Sequence, residues 1–108
     1  MIDELKVSEI TLIYRNRLGS ERHQNITQKE FGGILAEGLL NTGITRATIW
    51  KWEKGRGQPD WEFLFSLYTY HYNHQDRWQF QFAVECMKAM KPETFATGII
   101  ELKGDGHK

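Results

Sequence analysis

The sequence predicts an all-α fold, a compact bundle of about five helices, and three observations carry that expectation. Apolar residues recur at spacings of three and four in several successive stretches. Good helix-capping residues, Thr27, Thr45 and Asp60, stand directly ahead of three of those stretches. Glycine or proline punctuates the boundaries, at Gly19, Gly43, Gly55, Pro59 and Pro92. At 108 residues, with 40% apolar and 26% charged, the chain suits one soluble domain with a single modest core.

The elements follow in order. Residues 8–18 read as a first helix, with Ile10, Ile13, Tyr14 and Leu18 on one side and Gly19-Ser20 as its end. A polar connection covers residues 20–26. Thr27 then caps a second helix, and Glu30, three residues on, completes a capping-box pattern ahead of Phe31, Ile34 and Leu35. Gly32, Gly33 and Gly38 weaken this helix by roughly 1 kcal/mol each. Leu39 and Leu40 nevertheless keep its apolar rhythm up to Asn41-Thr42-Gly43, so a partly lengthened helix that folds back through a longer turn is expected.

A third helix covers residues 45–54. Ile49 and Trp52 share its apolar face, Arg46, Ala47, Trp50 and Lys51 lie on the other, and Gly55 offers a left-handed stop. So short a helix cannot stand alone in water and needs other helices to hold it. Asp60 caps a fourth helix, in which Trp61, Leu64, Phe65 and Tyr68 share a face and which Asn73-His74-Gln75 breaks. Residues 76–91 are two-sided: Trp78, Phe80, Phe82 and Val84 alternate as in a strand, while Arg77, Gln81, Glu85 and Lys88 recur at helical spacing. Length and Ala/Met/Lys/Glu content favour a fifth helix, with Asp76 as its cap. Residues 97–102 suit a short strand or an extended docking segment, and 104–108 a frayed tail.

The charges sum to zero but are uneven. Residues 27–57 hold five Lys/Arg against three Asp/Glu, whereas residues 58–108 hold five against seven. Any nucleic-acid affinity must therefore come from placement rather than from total charge. Cys86 is the single cysteine, which excludes an internal disulfide and a cysteine-rich zinc knuckle. No apolar run reaches membrane-spanning length and the N-terminus is too charged for a secretory signal, so a cytoplasmic location is expected. His71, His74 and Cys86 do not form a recognised zinc spacing, and the tyrosines around the histidines suit a packed helix end; no metal and no cofactor is expected. Cys86 sits on an apolar face with no base in the pattern, and there is neither a phosphate-cradling glycine loop nor a nucleophile elbow, so the chain does not read as an enzyme.

The blocks Thr27-Gln28-Lys29-Glu30-Phe31-Gly32 and Gly43-Ile44-Thr45-Arg46-Ala47-Thr48-Ile49-Trp50-Lys51-Trp52-Glu53-Lys54-Gly55, followed by Pro59, resemble the helix-turn-helix of the phage Cro and repressor family, often called XRE-type. The likeness covers about residues 10–70, and residues 60–68 continue it as that family's fourth helix. Physical reasons run alongside: Gly32 is small where the third helix must cross the second, and Gly43 can take the positive backbone angle of a tight turn. The chain departs from the pattern by about seven extra residues at 36–42 and about six at 20–25. Two helical turns, roughly 10 Å of axis, would displace the third helix if the second simply grew.

The resemblance implies a sequence-specific binder of double-stranded DNA, most naturally a repressor, acting as a homodimer on a palindromic operator. Residues 8–72 would form the DNA-binding core, and residues 73–103 a helical extension for dimerisation, within one domain of residues 1–108. Thr45, Arg46, Ala47, Trp50 and Lys51 occupy the family's base-facing positions, with Arg46 suited to guanine and Ala47 to a thymine methyl. Gln28, Thr48, Lys54 and Arg56 match phosphate contacts, and Arg22 and His23 are further candidates. Arg15 and Glu53 match the family's internal ion pair. Trp50 has an alternative role, capping the bundle. The aromatic cluster at residues 61–82 is either covered by the fifth helix or left open for a partner. The second functional reading rests on that cluster: an antitoxin-like module that masks a toxin-like protein and represses its own promoter.

Overall fold

Six helices appear in the computed structural model, which describes residues 6–40, 42–98 and 100. They are α1 (Val7–Glu21), α2 (Gln28–Leu35), α3 (Arg46–Glu53), α4 (Trp61–Tyr70), α5 (Trp78–Met90) and the single turn α6 (Glu93–Ala96). No strand occurs among the described residues. The fold is all-α, and none of these helices is long and apolar enough to cross a membrane.

Local sequence chemistry sets several of the boundaries. Thr27 accepts the amide of Glu30 at 3.1 Å while the Glu30 carboxylate accepts the amide of Thr27 at 2.9 Å, a reciprocal cap on α2. These bonds hold the Glu30 carboxyl below its ordinary range. Thr45 caps α3 through the amide of Thr48 at 3.2 Å. Gly55 follows α3 with φ 71°, the left-handed stop that a side chain would oppose. Asp60 stands at the N-cap of α4 without making a side-chain cap bond.

Phe82 of α5 lies at the centre of the core and is fully buried. It meets Tyr14 of α1 edge-on at 5.6 Å, Phe31 of α2 edge-on at 5.9 Å, and Trp52 of α3 at 6.4 Å, measured between ring centroids. Two residues earlier on α5, Phe80 stacks with Tyr68 of α4 at 5.3 Å. The inner face of α5 therefore belongs to the same core as α1 to α4. Residues 61–82 are largely covered by this packing: Tyr68, Phe80 and Phe82 are buried and Trp61, Phe63, Tyr72 and Trp78 partly so, while Phe65 and Tyr70 remain exposed.

Several elements differ from their expected form. Residues 76–91 resolve to a helix that starts at Trp78 with Arg77, not Asp76, at the N-cap. α1 runs through Gly19, which is buried because a Cβ there would lie 2.8 Å from the Gln24 carbonyl; the missing side chain lets the connection fold back rather than ending the helix. Ile13 is exposed, and the stripe is Val7, Ile10, Thr11, Tyr14 and Leu18, with the Thr11 hydroxyl satisfied by the Val7 carbonyl at 2.8 Å. α4 ends at Tyr70 and buries Leu64, Leu67 and Tyr68, leaving Phe65 outside.

The clearest correction concerns residues 36–42. α2 is not lengthened; it stops at Leu35, and a turn from Ala36 to Gly38 leads into irregular chain. Gly38 adopts φ 91°, which ends the helical path and brings its backbone onto Tyr70; a Cβ there would sit 2.6 Å from Tyr70 Cζ. Gln79 of α5, itself buried, approaches the Ile34 carbonyl with Nε2 at 3.4 Å, alongside the Glu37 amide at 3.2 Å. After α6, Ile100 is buried and its amide donates to the Thr94 carbonyl at 3.0 Å, so this part of the expected 97–102 segment docks without forming a strand. Residues 101–103 of the expected extension and the tail at 104–108 lie outside the described residues.

Candidate nucleic-acid interface

α3 is held from behind. Ile49 is fully buried and Trp52 nearly so, with Trp52 also 6.1 Å from Phe63 of α4. α2 crosses α3 closely at Gly32, where a Cβ would lie 2.9 Å from Ile44 Cγ2 and 3.3 Å from Ile49 Cγ1. Gly43 takes φ 69° in the chain that leads into α3. The Thr48 hydroxyl lies 3.3 Å from the Gly43 carbonyl and 3.1 Å from the Thr45 hydroxyl. Thr48 is thus occupied in fixing the start of α3, and a phosphate would have to compete with those bonds.

A carboxylate fixes the other end. Arg15 Nε lies 2.6 Å from Glu53 Oε2 and Arg15 Nη2 3.1 Å from Oε1, a two-point ion pair between α1 and α3. Arg15 Nη1 donates to the Ile26 carbonyl at 2.7 Å, just ahead of α2. Gln28, the first residue of α2, donates Nε2 to Glu53 Oε1 at 2.9 Å. Three elements are therefore tied to one carboxylate whose side chain is only 6% exposed. The sequence reading missed the Gln28 bond, although a polar first-turn residue beside an internal ion pair is a signal for it. This bond occupies one donor of Gln28, leaving its other amide hydrogen and the α2 N-terminus for an anion.

The face left open is cationic with an apolar strip. Thr45, Arg46, Ala47, Trp50, Lys51, Lys54 and Arg56 are all exposed. Trp50 is 37% exposed, with the Arg56 guanidinium carbon 5.6 Å from its ring centroid. Arg56 is placed by its own backbone: its amide donates to the Lys51 carbonyl at 2.8 Å, folding the loop after α3 back on the helix. Arg22 and His23 are exposed in the connection before α2, and the charge of Arg22 is felt at Glu30.

Outside this face lie the groups weighed for catalysis or metal binding, and His71 is buried with its Nε2 atom unpaired. Cys86 is fully buried, and burial pushes its thiol well above the ordinary value. Among the described residues no group of three His, Cys, Asp or Glu side chains stands close enough to hold a metal. Tyr14 donates to the Glu85 carboxylate, and burial followed by that bond raises its phenol far above the usual range, so the pair acts as a clasp between α1 and α5. Comparison with protein families, with curated proteins and with solved structures found no match for this chain.

Proposed function

We propose that this chain is a sequence-specific regulator that binds double-stranded DNA, most naturally a repressor, and reads the major groove with α3. The observation that carries the reading is the division of α3 itself: Ile49 and Trp52 are locked into the core while Arg46, Ala47, Trp50 and Lys51 face outward between the cations Lys54 and Arg56. A helix about 10–12 Å across fits the major groove of B-form DNA. The Glu53 bonds to Arg15 and Gln28 set the two helices of the motif rigidly, which a reader of base edges requires.

In this reading Arg46 pairs with a guanine edge, Lys51 with a neighbouring base, and Lys54, Arg56 and the α2 N-terminus with phosphates. Two copies act on a palindromic site with half-sites about one helical turn apart. Phe65 and Tyr70, outward on α4, support association through that helix.

The test begins with selection of bound duplexes from a random pool at two salt concentrations. A recovered consensus, bound less tightly as salt rises, is expected. Arg46→Ala with Lys51→Ala should then weaken consensus binding by at least a hundredfold while the helical content stays unchanged. Unaltered affinity and sequence preference in that double variant would refute the assignment of the face.

A further inference from the structure

The Trp50–Arg56 pair stands on the exposed face of α3 and its following loop. α3 has a buried face that could take an indole, and takes Trp52, yet a second tryptophan stands two residues away on the outside. Its ring is not loose: Arg56 lies over it at 5.6 Å, and the Arg56 backbone is bonded to the Lys51 carbonyl. Gly57 brings the same loop close to α3, where a Cβ would be 3.7 Å from Lys51 Cβ. Ala47 lies one turn before Trp50 on the same face and is also exposed, so the two make an apolar strip rimmed by Arg46, Lys51, Lys54 and Arg56.

Resting on the DNA-binding reading above, we propose that Trp50 is a specificity-determining residue that recognises the 5-methyl group of thymine, with Arg56 as the positioning residue that holds the indole in place. Apolar surface between rows of cations matches a groove floor that carries methyl groups between two phosphate rails. In B-form DNA that description fits the major-groove edge of A·T pairs, where the thymine methyl projects. It does not fit duplex RNA, whose major groove is narrow and whose uracil lacks the methyl. A rigid aromatic loses little conformational freedom on contact, which suits it to this task.

The experiment replaces each thymine of the selected duplex in turn by deoxyuridine, removing one methyl and nothing else. For the wild-type chain, binding should weaken about fourfold at the position Trp50 covers, the effect of burying one methyl-sized group. Trp50→Ala should bind more weakly overall and lose the distinction at that position, and Trp50→Phe should keep part of it. Arg56→Ala should lower affinity, flatten the salt dependence by about one unit and reduce the same distinction. Melting followed by circular dichroism checks that each variant is folded. Tolerance of deoxyuridine at every position by a wild-type chain that still prefers its consensus would overturn the proposal. So would a Trp50→Ala chain that keeps the distinction, an Arg56→Ala chain that keeps it in full, or preference for the single strand over the duplex, which would mean stacking on an unpaired base. Failure to recover any consensus would instead count against the DNA-binding reading beneath it.

Discussion

Glu53 receives both ends of the Arg15 guanidinium fork, at 2.6 and 3.1 Å, and its Oε1 also accepts the side-chain amide of Gln28. Removing the carboxylate leaves a partly buried guanidinium and an amide without their acceptor. Glu53→Ala should cost about 3 kcal/mol, the lower end for breaking a buried pair, because Arg15 keeps some contact with water. Arg15→Ala should cost a similar amount, and the double variant less than the sum. Urea unfolding of the three chains checks this; additive losses would mean that the two groups are not coupled.

Phe82 reaches α1, α2 and α3 together. Phe82→Ala should lose about 3–5 kcal/mol, a large part of the stability of a domain this size. A chain ending at residue 76 should fail to fold cooperatively, since α5 supplies the centre of the core. Thermal and urea melts distinguish this from a dispensable extension, whose removal would leave the unfolding transition of residues 6–76 intact.

Gly38 and Gly43 both have positive φ, but only Gly38 faces a neighbour. Gly43→Ala should cost about 1 kcal/mol, the backbone strain alone. Gly38→Ala should cost about 2–3 kcal/mol, strain plus collision with the Tyr70 ring. Placing Tyr70→Ala beside Gly38→Ala should recover the steric part only, so a double-mutant cycle in denaturant separates the two contributions.

Burial holds the imidazole of His71 below its ordinary value of 6.5, aided by the charges of Arg77 and His74 and opposed by Glu37. The folded state therefore binds fewer protons than the unfolded chain. Stability from this group is fully present above about pH 6.5 and falls as the medium is acidified below it. His71→Phe, which retains a ring beside Tyr70, should lose less stability between about pH 7 and pH 5 than the wild type. Equal losses in the two chains would show that the pH response comes from other groups.

What was legible in the sequence was what local chemistry decides. Thr27 with Glu30, and Thr45 with Gly55, carry their own boundary signals, so α2 begins and α3 begins and ends where expected. The division of α3 into Ile49 and Trp52 against Arg46, Ala47, Trp50 and Lys51 is a matter of 100° per residue and was equally readable. Contacts between distant segments were not. The turn that follows α2 packs against Gln79 and Tyr70, 45 and 32 positions after Ile34 and Gly38. The burial of Thr11 in place of Ile13 depends on which side of α1 the other helices cover, and Thr11 can enter because its hydroxyl bonds within the helix. The pairing of Trp50 with Arg56, six positions on, depends on the loop after α3 folding back on the helix, which no local pattern announces.

The most direct test of α3 as a major-groove reader is methylation interference on the selected duplex, since a methyl on guanine N7 blocks that groove alone. Wild-type chain is expected to be excluded by methylation at one guanine in each half-site, and Arg46→Ala to become indifferent to it. Interference that persists unchanged in Arg46→Ala, or that falls only on minor-groove positions, would contradict the placement of this helix on DNA.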